Sequence, residues 1–131
     1  MKQEADRTTL CLTLSKFCRA EIIQISLEAA AGWKILTAAS GEEGLAIAEA
    51  QQPDAILLDV MMPNMDGPTT FGHLQENPAT ANIPTILLTA KAKMSEQQQF
   101  LDLGVTGVIT KPFKPLDLVE QIQEILDWNV E

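Results

Sequence analysis

Basic charge is scarce in this sequence: Lys and Arg total 9 against 18 Asp and Glu, for a net charge of −9. That balance disfavours direct contact with nucleic acid or an anionic membrane surface, so neither is an expected partner. Cysteine is scarcer still. Cys11 and Cys18 are too few for a disulfide framework and read as reduced thiols of a cytoplasmic protein. No run approaches the roughly 20 apolar residues that span a bilayer, and the opening MKQEADRTT is polar and acidic, unlike a secretory signal. Internal repeats and low-complexity linkers are absent. So are the G-x-x-x-x-G-K-[ST] and G-x-G-x-x-G runs of nucleotide and dinucleotide sites. The single histidine, His73, has no accompanying Ser or Cys pattern, which leaves a nucleophilic triad unsupported and a packing or surface role expected.

What is present is an ordinary globular composition, 46% apolar and 21% charged over 131 residues, enough for one core. Short apolar runs predict strands over Thr9–Leu14, Lys34–Thr37, Ala55–Leu58, Thr85–Leu88 and Gly107–Thr110. The third and fourth are nearly continuous apolar runs, as in strands buried on both faces of a parallel sheet. Amphipathic stretches separate them. Ala20, Ile23, Leu27 and Ala30 share a helical face that Gly32 ends. Ser40 with Glu43 forms a capping box for a helix that Pro53 closes. Ser95 is a candidate N-cap for a helix ending near Gly104. The last helix starts at about Pro115 and aligns Leu118, Val119, Ile122, Ile125 and Leu126. Five strands alternating with five helices predict an α/β fold, a doubly wound five-stranded parallel sheet of flavodoxin-like order 2-1-3-4-5. A polar segment, 1–7, precedes a single domain over 8–131.

In such a sheet, function collects where strands end at the carboxyl edge. Asp59 ends AILLD, Thr89 ends TILLT, and Lys111 follows GVIT. Taken singly, each has an ordinary explanation: a turn-capping Asp, a β-forming Thr, a solvated Lys. Adjacent parallel strands would instead bring all three to one crevice.

The stretches PDAILLDVMMPNMDG at 53–67, PTILLTAKA at 84–92 and GVITKPF at 107–113 resemble the receiver domain of bacterial response regulators. Thr89 follows Asp59 by 30 residues and Lys111 follows Thr89 by 22, as in that family. The resemblance implies a signalling module of a two-component phosphorelay and not an enzyme. Asp59 would accept a phosphoryl group from a sensor histidine kinase or phosphotransfer protein. Thr89 would bring its hydroxyl to a phosphoryl oxygen, Lys111 would pair with the phosphoryl charge, and Ala90 would leave the site open. The Met61 carbonyl would serve Mg²⁺ beside Asp59, and Lys111–Pro112 would be a cis peptide. A downstream protein would read the face made by the fourth helix, fifth strand and fifth helix. Val108 holds a position where the family often carries an aromatic residue.

One departure is plain. The family's acidic metal pair would fall near Leu14, Ser15 or Lys16, yet residues 8–20, TTLCLTLSKFCRA, contain no Asp or Glu. Glu4 and Asp6 precede the first strand, about 20 Å away at about 3.3 Å per residue, and Glu21 falls about one and a half turns into the first helix. Mg²⁺ binding is therefore expected to be weak or absent, with the Lys16 ammonium a candidate substitute. The alternative is a phosphate-independent interaction module of the same fold. An aspartyl phosphatase would need a second acid where Met61 stands. Met61, Met62 and Met65 read as lid and packing residues, because thioethers are poor Mg²⁺ ligands.

Overall fold

The computed structural model describes residues 9–13, 20–62, 65–90, 93–111 and 114–126. The elements run β1 (Thr9–Thr13), α1 (Ala20–Ala31), β2 (Lys34–Ala38), α2 (Gly41–Gln51), β3 (Ala55–Asp59), α3 (Gly67–Glu76), β4 (Thr85–Thr89), α4 (Met94–Asp102), β5 (Gly107–Thr110) and α5 (Pro115–Leu126). All strand pairs are parallel, in the order β2-β1-β3-β4-β5. The expected fold class and strand order are what is found.

Period-2 alternation divides the buried side chains between two cores. Leu10, Leu12, Ala55, Leu57, Ile86, Leu88 and Ile109 face α1 and α5, meeting Ile23, Leu27, Leu118, Val119 and Ile122. Cys11, Ile56, Leu58 and Leu87 face the other way, toward Ala48 of α2 and Phe71 and Leu74 of α3. β3 and β4 are buried along their whole length. Covering helices on both faces are what let those runs be continuously apolar. Trp33 joins the first core. Among the described residues, no helix is long and apolar enough to cross a membrane.

Several boundaries differ from expectation. β2 continues one residue to Ala38, and β3 and β4 include Asp59 and Thr89 as their last residues. The ladder carries them: the Val60 N–H donates to the Leu88 carbonyl (2.9 Å) and the Lys111 N–H to the Thr89 carbonyl (2.8 Å). Ala30 is exposed and Ala31 packs on the core instead, one helical step of four from Leu27. Glu21 lies in α1, whose described span is Ala20–Ala31, and the residues before Ala20 lie outside the described ones. Ser40 does cap α2, accepting from the Glu43 N–H at 3.1 Å. Ser95 caps nothing. Lys93 is the N-cap of α4 without a side-chain bond, because the Glu96 and Gln97 N–H groups bond the Lys93 carbonyl and start the helix two residues earlier. Residues 1–7, Leu14, Cys18 and Trp128 lie outside the described residues.

Burial pushes the Cys11 thiol above its ordinary pKa, with Thr13 partly offsetting through a hydrogen bond and Glu43 adding to the rise. The fold therefore loses stability as pH rises from the ordinary thiol value through the raised one, and Cys11 adds no pH dependence below that window. In a Cys18→Ser background, native Cys11 should react with Ellman's reagent at least about 100-fold slower than in denaturant, since reaction needs β1 to open. Equal rates would contradict this burial.

Candidate functional site

The apolar run of β3 ends at Asp59, whose side chain is only 1% exposed. An unpaired carboxylate would not persist there, and the sheet supplies a cation. Asp59 lies beside Leu88 in register, so Thr89 stands one residue farther along β4, opposite Thr110 of β5. Lys111 follows β5, and its side chain crosses the end of β4 to place Nζ 2.9 Å from Asp59 Oδ1. The Met61 N–H donates to the same oxygen at 3.2 Å. Thr89 is buried, the Lys111 side chain is 26% exposed, and Ala90 is exposed beside them. The three strand-end residues therefore gather at one rim of the sheet. Asp59 and Lys111 are in direct contact, and Thr89 holds Lys111 through the backbone.

Two contributors were not anticipated. Asp66 caps α3, its Oδ1 accepting from the Thr69 N–H at 2.8 Å. Gly67 packs its α-carbon against the site: an added Cβ would lie 2.6 Å from the Asp59 carbonyl oxygen and 2.8 Å from Val60 Cα. Its N–H donates to the Val60 carbonyl at 2.9 Å, closing the loop that leaves Asp59. The signal was the run Asp66-Gly67-Pro68, a cap, a small residue and a first-turn proline. Of the methionines, Met62 is buried in the second core, Met65 is half-buried, and Met61 is largely exposed, so Met61 does not pack as expected. His73 lies on the surface of α3, its Nδ1 3.6 Å from Glu76 Oε1. Val108 is half-buried against the second core.

The donors at this rim do not make a good Mg²⁺ site. Hard divalent cations take carboxylate and carbonyl oxygens. Among the described residues the rim offers the Asp59 carboxylate, already paired with an ammonium, and the Met61 carbonyl two residues on. Among the described residues no group of three or more His, Cys, Asp or Glu comes together. Leu14, Ser15 and Lys16, where acids were sought, lie outside the described residues, as does Pro112 of the expected cis peptide.

The family described as response regulator receiver domain matches residues 17–123. The chain is 35% identical over 106 residues to the DNA-binding dual master transcriptional regulator RpaA of Synechocystis sp., covering 81% of this chain and 44% of that protein. It spans less than half the length of the curated relatives it matches. Chemotaxis protein CheY4 of Vibrio cholerae superposes with a TM-score of 0.79 at 29% identity, covering 91% of this chain and 98% of that one. The receiver domain of sensor histidine kinase PA1611 of Pseudomonas aeruginosa PAO1 does so with a TM-score of 0.80 at 26% identity, covering 92% and 98%. That structure is described with a magnesium ion coordinated in its active-site cleft.

Proposed function

The chain belongs to the response-regulator receiver-domain family, and from that premise we propose that Asp59 accepts a phosphoryl group from a phosphohistidine of a sensor kinase or phosphotransfer protein. An Asp59 oxygen attacks phosphorus, the P–N bond breaks, and the departing imidazole keeps the bonding pair and takes up a proton. Such transfer needs positioning and charge neutralisation more than covalent help from the protein. The observation that carries the reading is the 2.9 Å contact between Lys111 Nζ and Asp59 Oδ1. It places a fixed cation where phosphoryl oxygens would develop charge.

The phosphoryl group brings about −1.5 to −2 charge and three strong acceptors. Lys111 then transfers its pairing from carboxylate to phosphoryl oxygen, and the Thr89 hydroxyl, on the adjacent strand, donates to another. Ala90, small and exposed, leaves room for this. The switch is a local charge change read out through loops. The output face in this reading is α4, β5 and α5. α4 buries no residue and exposes Met94 and Leu101, which suits a surface completed by a protein partner. Its net charge of −9 makes this chain an unsuitable surface for DNA. The domain, 8–131, works in this reading as a cytoplasmic signalling module, not an enzyme.

Incubation with acetyl phosphate tests the proposal. A single hydroxylamine-labile phosphoryl adduct should appear by intact mass and map to Asp59, and Asp59→Asn should carry none. An adduct elsewhere, or none at all, would favour the phosphate-independent interaction module.

A further inference from the structure

We propose that Lys111, and not a resident Mg²⁺, supplies the standing positive charge at Asp59, so that this pocket binds Mg²⁺ at least about tenfold more weakly than the same pocket with a restored acidic pair. The inference rests on Asp59 being the functional centre, and deepens that reading by assigning how its charge is balanced.

The argument begins with strand register. Thr13, the last residue of β1, pairs with Leu58 of β3 and Ala38 of β2. The described part of β1 therefore ends one residue short of Asp59 on the neighbouring strand. The sequence that follows Thr13, Leu-Ser-Lys-Phe-Cys-Arg at 14–19, holds two cations and no carboxylate. On the other side, the β3–α3 connection offers Asp66, whose Oδ1 is engaged in capping α3. Asp59 itself is matched by Lys111 and hydrogen-bonded by the Met61 N–H on the same oxygen.

Among the described residues the Asp59 charge is thus matched by Lys111, on a chain whose overall charge is strongly negative. Mg²⁺ dehydrates reluctantly and needs one or two carboxylates with near-octahedral geometry. Among the described residues, the carboxylate it would recruit at this rim, Asp59, is one that it must share with an ammonium. An incoming oxyanion meets the opposite situation, a lysine already in place beside Asp59.

The test is an Mg²⁺ titration of the whole chain with no phosphoryl donor present, followed through the amide resonances of Asp59, Val60 and Met61. It can therefore fail while phosphorylation succeeds, and the reverse. Ser15→Asp combined with Lys16→Asp restores carboxylates, and Asp59→Asn removes the one that exists. The natural chain is expected to reach its midpoint at a concentration at least about tenfold higher than the double variant. Matching midpoints, both erased by Asp59→Asn, would overturn the proposal. Should the double variant unfold or fail to saturate, the natural chain decides alone. Asp59-dependent saturation below about 1 mM, the weak limit of a built oxygen-ligand site, would overturn it. A midpoint above that, or shifts indifferent to Asp59→Asn, would uphold it.

Discussion

Lys111→Ala will destabilise the fold by about 1–3 kcal/mol in urea denaturation at neutral pH, whereas Asp59→Asn will cost less than about 1 kcal/mol. The two residues form one ion pair, so a pairwise view would predict equal losses. Their surroundings differ. Asp59 is 1% exposed, and removing its cation leaves a carboxylate in the sheet interior with reduced compensation. The Lys111 side chain is 26% exposed, so its ammonium can turn to water when the carboxylate is gone. That exposure is also why the estimate stays below the full cost of breaking a buried pair, about 3–5 kcal/mol. Asparagine keeps an oxygen to accept from the Met61 N–H and the lysine. The reverse ranking of the two variants would mean that burial does not govern this pair.

Gly67→Ala will cost about 1–3 kcal/mol and will move Asp59. Its new methyl group would meet the Asp59 carbonyl oxygen at 2.6 Å and Val60 Cα at 2.8 Å, and these are backbone atoms that cannot swing aside. Relief has to come from displacing the β3–α3 loop, which also carries the Met61 N–H. A misplacement of about 1 Å is enough to lower a transfer rate by about 100-fold, so labelling by acetyl phosphate should fall steeply even where the protein stays folded. Gly72→Ala, in the same helix, is the control. A Cβ there meets nothing within 4 Å, and the change should stabilise by about 0.5–1 kcal/mol through helix propensity. If both variants behave alike, the close approach at Gly67 has no consequence.

Much of this was legible in the sequence because the sheet is parallel and covered on both faces. AILLD and TILLT could be read as buried strands from apolar continuity alone, and their polar last residues then pointed to the carboxyl edge. What failed was mostly local. Ser95 matched a capping pattern, but backbone bonds to Lys93 fixed the start of α4 elsewhere, and periodicity does not encode that competition. Ala30 and Ala31 are equally apolar, so only the packed geometry chooses between them. Gly67 escaped notice because its role is a tertiary approach to a residue eight positions earlier, which the tight run Asp66-Gly67-Pro68 hints at without specifying. The pairing of Lys111 with Asp59 across the end of β4 depended on strand order, and it became a distance only in three dimensions.

The most direct measurement is an amide-resolved NMR comparison of the natural chain and Asp59→Asn with and without beryllofluoride, an acyl-phosphate mimic. If the rim is a single phosphoacceptor pocket, resonances of Asp59, Thr89 and Lys111 will shift together in the natural chain and stay fixed in the variant. Shifts confined to other parts of the molecule, or identical in both chains, would contradict the assignment of these residues to one phosphoryl-responsive centre.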